Sequence, residues 1–288
     1  MAFASTKTWG GSGYAAGHIF ARADTAAPEQ LMGHVHILRH FPSPQEGFNR
    51  TVRIYTPDTY DAWKDHRFPV LYMHDGQNVF AHPESAVFDT WCANRVLEEG
   101  VSAGRMEPWI IVAVDSGPGR FQEYSPWDEP RNGVVARGEA YGRFLVEELK
   151  PYIDRTYRTR TGSEWTGTMG SSLGGLISLY LGWKFPQVFG RIGALSPTVM
   201  WSQNRLFDAW RAHSQRWTRI YLDAGATESI HVGGLPLDYG QRTRDFFHHL
   251  KGLGYGDHEV SLVLEPGGEH HEKDWQRRLP GAMQWLLG

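Results

Sequence analysis

The sequence predicts an α/β fold with a mostly parallel β-sheet and helices on both faces, and two observations support that prediction. Short apolar segments rich in β-branched residues alternate with longer segments of helical pattern from residue 50 to residue 287. No internal repeat and no interdomain linker interrupts this alternation. Strands that are joined through helices pair in parallel, and the helices then cover both faces of the sheet. Residues 31–288 are therefore predicted to form a single domain.

The predicted strands are apolar, β-branched segments with proline, glycine or aspartate nearby. They lie at 50–57, 68–75, 109–115, 164–169, 191–196, 218–225 and 258–266. The predicted helices lie between them, at 138–157, 174–185, 239–254 and 272–287. In the first helix, Leu145, Leu149 and Ile153 recur at i, i+4 spacing, which places them on one apolar face.

Residues 1–30 differ in composition from the rest of the chain. They are rich in Gly, Ala, Ser and Thr and show little periodicity. We predict that they form a flexible segment, or an extra N-terminal segment laid over the main domain.

Charge and hydropathy exclude several classes of partner. The net charge of -3 over 288 residues gives no basic surface for nucleic acid or for an anionic membrane. No apolar run approaches the ~18 residues of a membrane span, and the N-terminus lacks the apolar core of a signal peptide. The expected location is therefore the cytoplasm. The single cysteine, Cys92, excludes an internal disulfide.

A glycine-rich stretch lies where a predicted strand passes into a predicted helix. Gly170-Ser171-Ser172-Leu173-Gly174 has the form G-x-S-x-G, which is typical of a sharp strand–turn–helix junction. Such a turn strains the backbone of its central residue, and the flanking glycines let neighbouring chain segments approach. Ser172 is therefore predicted to be a nucleophile at the amino terminus of a helix. In this geometry the side chain of Ser171 is expected to turn away from the cleft.

A serine hydroxyl needs a base to remove its proton and an acid to orient the base. In enzymes built around this elbow, the acid and then the histidine follow the serine along the chain, each after a later strand. The loop after strand 218–225 offers Glu228, and Asp223 at the strand end is the alternative acid or a brace for the turn. The loop after the last strand offers His270, with His271 expected to point outward.

Two backbone N–H groups are needed to stabilise the negative charge that develops on the substrate oxygen. One is expected to be that of Leu173, directly after the nucleophile. The other is expected from Gln77, in the loop after an early strand, where Gly76 would let the backbone turn its donor inward.

Several blocks of the chain, taken in order, resemble the putative-esterase family of α/β hydrolases. The blocks are YMHDGQNVF, VDSGPGRFQEYSPW, FLVEELKPYIDRTYRT, MGSSLGGLISLY, ALSPTVMW and GGEHHEKDW. That family includes enterochelin-esterase-like, feruloyl-esterase-like and S-formylglutathione-hydrolase-like enzymes and the mycolyl transferases. The resemblance covers residues 34–288 and implies an α/β-hydrolase fold. By analogy it supports Ser172, Glu228 and His270 as the triad, and it implies that Trp127 and Trp201 border the substrate.

The function expected from these residues is hydrolysis of a small-molecule carboxylic ester through an acyl-enzyme. Two alternatives stay open: an acyltransferase with the same triad, and a non-catalytic binding protein that kept the fold. No cofactor and no metal is expected, because Trp275 stands where the second histidine of an H-E-x-x-H zinc motif would be. The residues leave the acyl group and the oligomeric state open.

Overall fold

The structure is a computed structural model, and buried apolar strands form the centre of the molecule. The structure describes residues 34–85, 90–212, 218–232 and 235–288. The predicted flexible or extra segment over residues 1–30 lies outside the described residues. All the described residues belong to one of the two units into which the chain divides, Leu31–Gly288.

One sheet of eight strands runs through the domain, in the order β1-β2-β4-β3-β5-β6-β7-β10. β1 and β2 are antiparallel to their neighbours, and every pair from β4 to β10 is parallel. A separate antiparallel hairpin is formed by β8 and β9. The strands are β1 (His34–Ser43), β2 (Phe48–Thr56), β3 (Val70–His74), β4 (Ile110–Val114), β5 (Thr166–Ser171), β6 (Arg191–Leu195), β7 (Arg219–Gly225), β8 (Ser229–Val232), β9 (Leu235–Asp238) and β10 (Val260–Glu265).

The helices connect the parallel strands. A π-helical turn, Phe144–Leu149, joins α3 directly to α4. The first turn of α6 contains three left-handed residues, Ser202, Gln203 and Asn204. The helices are α1 (Ala93–Ser102), α2 (Arg120–Glu123), α3 (Gly138–Arg143), α4 (Lys150–Thr156), α5 (Leu173–Lys184), α6 (Trp201–Ala209), α7 (Tyr239–Gly252) and α8 (Glu272–Leu287).

Apolar side chains fill both faces of the sheet, because successive residues of a strand point to opposite sides. In β3, Val70 and Tyr72 belong to one buried cluster, and Leu71 and Met73 belong to the other. The first cluster includes side chains of α5 and α7, and the second includes side chains of α1 and α8. Helices therefore cover both faces, as the alternating pattern predicted.

All seven predicted strands and all four predicted helices are present, with ends that differ by a few residues. The sequence analysis did not assign β1, α1, α6 or the hairpin of β8 and β9. β1 is an edge strand with many exposed residues, so it lacks the apolar run that marked the central strands. Among the described residues, no helix is long and apolar enough to cross a membrane.

Candidate active site

The carboxyl ends of the parallel strands meet at one edge of the sheet, and the predicted site residues lie there. In open α/β sheets this edge is where ligands bind. Ser172 follows β5, and Glu228 follows β7 in a short turn. His270 follows β10 in the loop before α8. Three loops far apart in sequence are therefore neighbours in space.

Ser172 has the strained backbone that the G-x-S-x-G pattern predicted. Its φ of 56° and ψ of -121° lie outside the regions that serine usually adopts. It precedes the first residue of α5, so its hydroxyl lies at the amino terminus of that helix. The N–H of Ser172 donates to the carbonyl of Leu195 at 2.9 Å, which holds the turn against β6.

Gly170 is required by a close approach within this turn. A Cβ atom on Gly170 would lie 2.7 Å from the carbonyl carbon of Gly174. Any larger residue at position 170 would push the first turn of α5 away from β5. The pair therefore sets the sharpness of the turn that carries Ser172.

Ser172, His270 and Glu228 are hydrogen-bonded in series. The Nε2 atom of His270 lies 2.9 Å from Oγ of Ser172, and its Nδ1 atom lies 2.5 Å from Oε1 of Glu228. The side chain of Glu228 is buried, with 1% of its area exposed, whereas that of His270 keeps 12% exposed. This arrangement can move a proton from the serine hydroxyl to the imidazole while a buried carboxylate orients the ring.

The alternative acid, Asp223, makes different contacts. Its carboxylate forms an ion pair with Arg278 at 3.1 Å and accepts from the N–H of Ser196 at 3.3 Å. Burial raises the pKa of Asp223 to about 7, although the Arg278 charge acts in the opposite direction. Among the described contacts, it is Glu228 that reaches His270, and Asp223 braces the turn after β6.

The loop of Glu228 and the loop of His270 touch through two glycines. A Cβ atom on Gly225 would lie 2.0 Å from the carbonyl oxygen of Gly268 and 2.9 Å from Cβ of Glu228. Only a glycine at position 225 therefore lets the two backbones come this close. Their contact sets the short distance between the carboxylate and the imidazole.

Two aromatic side chains hold the ring of His270. The ring of Tyr239, at the start of α7, lies 4.2 Å from it between centroids. The ring of Trp275, in α8, lies 5.0 Å away and nearly perpendicular. His271 is exposed, as expected, and its side chain accepts from the N–H of Lys273.

The loop after β3 provides the second wall of the site. The left-handed residue there is Asp75, with φ 56°, and not Gly76. Gly76 serves another purpose, because a Cβ atom on it would lie 2.7 Å from Oδ1 of Asp115. Gln77 follows in a short 3-10 turn, and its side-chain amide is held by Ser116 at 2.9 Å.

A cleft of about 320 Å³ opens beside Ser172. Arg120 on its wall is held by Asp75 through two hydrogen bonds of 2.7 and 2.8 Å. Burial lowers the pKa of Arg120, but the charge and hydrogen bonds of Asp75, together with Tyr124 and Glu272, leave the pKa above its ordinary value. The lining residues are Asp75, Gln77, Asn78, Trp91, Arg120, Ser171, Ser172, Glu272 and Trp275.

The two tryptophans assigned to the substrate do not line this cleft. Trp127 packs against Tyr180 and Trp183 of α5, with ring centroids 5.6 and 6.5 Å away. Trp201 is 7% exposed, and its indole N–H donates to Ser125 at 2.8 Å. Neither side chain is among those that line the cleft, and the assignment of Trp127 and Trp201 to the substrate stays a prediction.

The cleft instead includes two tryptophans that the sequence analysis did not assign to it, Trp91 and Trp275. Ser171 also borders it, contrary to expectation, although the hydroxyl that meets His270 is that of Ser172. A further neighbour, Thr198, places its hydroxyl 3.4 Å from that of Ser172.

No group of three or more His, Cys, Asp or Glu side chains that could hold a metal ion is found in the part of the chain that the structure describes. Ser172, His270 and Glu228 bring a serine hydroxyl, an imidazole and a carboxylate into hydrogen-bonded contact.

Comparison with known proteins identifies a family. The family model described as putative esterase matches residues 43–286. An uncharacterized protein of Bacillus subtilis, YbbA, is 24% identical over 254 residues, which cover 85% of this chain and 96% of YbbA. An endo-1,4-beta-xylanase/feruloyl esterase of Xylanibacter ruminicola is 26% identical over 255 residues, which cover 86% of this chain and 30% of that protein.

A solved structure shares the fold. The enterobactin esterase of Shigella flexneri, crystallised in the presence of enterobactin, superposes with a TM-score of 0.69 at 18% identity. The superposition covers 90% of this chain and 62% of that one. The predicted α/β-hydrolase fold is confirmed.

The contact between Gly225 and Gly268 yields the first prediction. The Gly225→Ala variant must separate the two loops, because its new Cβ atom would overlap the Gly268 carbonyl. A displacement of about 1 Å can lower a rate about 100-fold, and we expect a loss of this size in kcat/KM on p-nitrophenyl acetate.

Gly281→Ala is the matched control for this variant. Gly281 lies exposed in α8, and a Cβ atom there would meet open space. We expect wild-type activity and a gain of up to about 1 kcal/mol in helix stability. Unchanged kcat/KM in Gly225→Ala would show that the spacing of the two loops does not matter.

Proposed function

The chain belongs to the putative-esterase family and is a carboxylic ester hydrolase, and we propose that it acts through Ser172, His270 and Glu228 with an acyl-enzyme intermediate. The observation that carries the proposal is the hydrogen-bonded series from the hydroxyl of Ser172 through the imidazole of His270 to the carboxylate of Glu228. Family membership supports the reaction class, and the geometry supports the roles of the three residues.

The reaction begins with the transfer of the Ser172 proton to Nε2 of His270. As the proton leaves, Oγ attacks the carbonyl carbon of the ester, and a tetrahedral intermediate forms. Glu228 keeps Nδ1 of His270 protonated and stabilises the positive charge that the ring acquires. The carboxylate stays ionised throughout.

We assign the developing oxyanion to the backbone N–H groups of Leu173 and Gln77. Leu173 is the first residue of α5, where backbone N–H groups have no partner within the helix. The positive end of the helix dipole also favours negative charge there. Gln77 borders the same cleft as Ser172. Removing one such donor typically raises the barrier by about 3 kcal/mol.

Collapse of the intermediate breaks the bond to the alcohol, and His270 returns its proton to that leaving oxygen. The acyl group is then attached to Oγ of Ser172. Water, deprotonated by the same imidazole, attacks the acyl carbon and releases the acid.

We propose a small-molecule ester as substrate. Two similar proteins are a feruloyl esterase and an enterobactin esterase, and feruloyl esters carry an aromatic acyl group. Trp91 and Trp275 supply aromatic surface at the cleft, and Arg120 and Glu272 supply charged groups there. The cleft is otherwise lined by polar side chains, so the two tryptophans provide its aromatic contact area.

The nucleophile can be identified by covalent labelling. A fluorophosphonate should modify wild-type protein once, and peptide mapping should place the phosphonate on Ser172. Ser172→Ala should lose both the label and about 10⁵- to 10⁶-fold in kcat, as serine hydrolases do when the nucleophile is removed. Modification of Ser171, or full activity in the Ser172→Ala variant, would contradict the assignment.

The choice of acid can be tested by comparing two amide variants at pH 8, above the pKa of about 7 for Asp223. Glu228→Gln should lower kcat about 10⁴-fold, because the amide no longer fixes the tautomer of His270. Asp223→Asn should keep kcat within about tenfold and instead lower the free energy of unfolding by about 1–3 kcal/mol, because Arg278 keeps Glu265 but loses the second of its two carboxylate partners.

Urea denaturation of both variants measures the free energy of unfolding, which separates a loss of stability from a loss of kcat. A larger loss of kcat in Asp223→Asn than in Glu228→Gln would reverse the assignment of the acid.

A further inference from the structure

We infer that Ser196 is a positioning residue for the proposed acid, because its hydroxyl fixes the carboxylate of Glu228 that orients His270. The inference rests on the proposed function and adds to it a residue that does not touch the reacting atoms. Ser196 lies directly after β6, is fully buried and has a left-handed backbone with φ 41°.

The direction of the Ser196 hydroxyl follows from counting donors. A serine hydroxyl has one proton to donate and two lone pairs to accept. The indole N–H of Trp275 donates to Oγ at 3.0 Å, and the guanidinium of Arg278 donates to it at 2.8 Å. Both side chains are donors only, so they occupy the lone pairs. The single proton of Ser196 is left to donate to Oε2 of Glu228, 2.8 Å away.

The same count fixes the role of each oxygen of Glu228. Oε2 accepts from the hydroxyl of Ser196 and, at 2.7 Å, from the N–H of Gly225. Its two lone pairs are therefore occupied, and Oε1 faces Nδ1 of His270. A carboxylate held in this way can only accept from His270, so Nδ1 carries the proton. Nε2 is then the acceptor for the hydroxyl of Ser172.

The donors to Ser196 are themselves anchored. Besides Ser196, Arg278 contacts Glu265 at 3.1 Å and Asp223 at 3.1 Å. Burial lowers the pKa of Arg278, but the charge of Asp223 and the hydrogen bond to Glu265 raise it above its ordinary value. The indole ring of Trp275 packs against His270, and the N–H of the same ring donates to Ser196. Trp275 thus links the acid, through Ser196, to the base, and Arg278 anchors Ser196 from the same helix.

The strained backbone of Ser196 is held by β7. Its N–H donates to the carbonyl of Asp223 at 2.8 Å, and the side chain of Asp223 lies 3.3 Å from the same N–H. Alanine disfavours a positive φ, whereas glycine accepts it. Both replacements of Ser196 remove the hydroxyl, but only the alanine variant keeps the strain on the backbone. The pair of variants therefore separates the hydroxyl from the turn.

The test compares Ser196→Ala and Ser196→Gly with Ser43→Ala as a matched control. Ser43 is also buried, and its hydroxyl also donates at 2.8 Å to a glutamate, Glu46, that pairs with an arginine, Arg50. It lies in β1, at the far edge of the sheet from His270. kcat and KM are measured with p-nitrophenyl acetate, and the rate of fluorophosphonate labelling is measured separately.

Both Ser196 variants should lose about 10- to 100-fold in kcat, as residues that orient a functional side chain commonly do, while KM changes less than threefold. The labelling rate should fall in parallel, because labelling depends on the activated serine and not on substrate binding. Ser43→Ala should keep the wild-type kcat and labelling rate. The inference would be overturned if both Ser196→Gly and Ser196→Ala kept kcat within twofold, or if KM changed and kcat did not.

The outcomes also separate this inference from the proposed function. Loss of kcat in Glu228→Gln together with full kcat in both Ser196 variants would overturn the role of Ser196 alone. Full activity in Ser172→Ala would overturn the proposed function itself. If neither Ser196 variant folds, Trp275→Phe removes the indole N–H but keeps a ring against His270, and the same fall in kcat and in labelling rate is expected. Unchanged kcat there would count against the inference.

Discussion

The carboxylate of Glu228 is buried at the junction of two loops. The geometry of the site depends on the hydrogen bonds that this buried charge requires. A buried charge is unfavourable unless hydrogen bonds replace the water it has lost. Here a hydroxyl, a backbone N–H and an imidazole surround the two oxygens. Ser196 lies after β6 and His270 lies after β10, so the carboxylate holds both of those loops to its own turn after β7. In the proposed mechanism, the orientation of His270 and the activation of Ser172 follow from this requirement.

Backbone packing supplies the positions that the hydrogen bonds then hold. Parallel strands carry the three loops to one edge of the sheet, and two glycine contacts bring the segments close. Gly170 against Gly174 sharpens the turn at Ser172, and Gly225 against Gly268 joins the acid loop to the histidine loop. In both cases a side chain would separate the segments, so the space left by a missing Cβ atom is part of the site.

Much of this could be predicted from the sequence, because the strong signals are local. The strands β3 and β4 are nearly continuous apolar runs, and the G-x-S-x-G pattern at Ser172 lies between a predicted strand and a predicted helix. The contacts of Trp275, Tyr239 and Ser196 could not be predicted, since they join residues far apart in sequence through side-chain packing. For the same reason Trp127, although close in sequence to a cleft residue, packs on α5. At the loop after β3, the pattern marked a glycine, but the left-handed residue is its neighbour, Asp75.

The tautomer of His270 in the resting enzyme tests the central claim most directly. Protein labelled with ¹⁵N-histidine, compared with a His270→Gln variant to assign the ring, allows long-range ¹H–¹⁵N correlation spectra to distinguish the two neutral forms. The account predicts a proton on Nδ1, donated to Glu228, and an unprotonated Nε2 facing Ser172. A neutral ring that carries its proton on Nε2 would contradict it, because that nitrogen could not accept the proton of the serine.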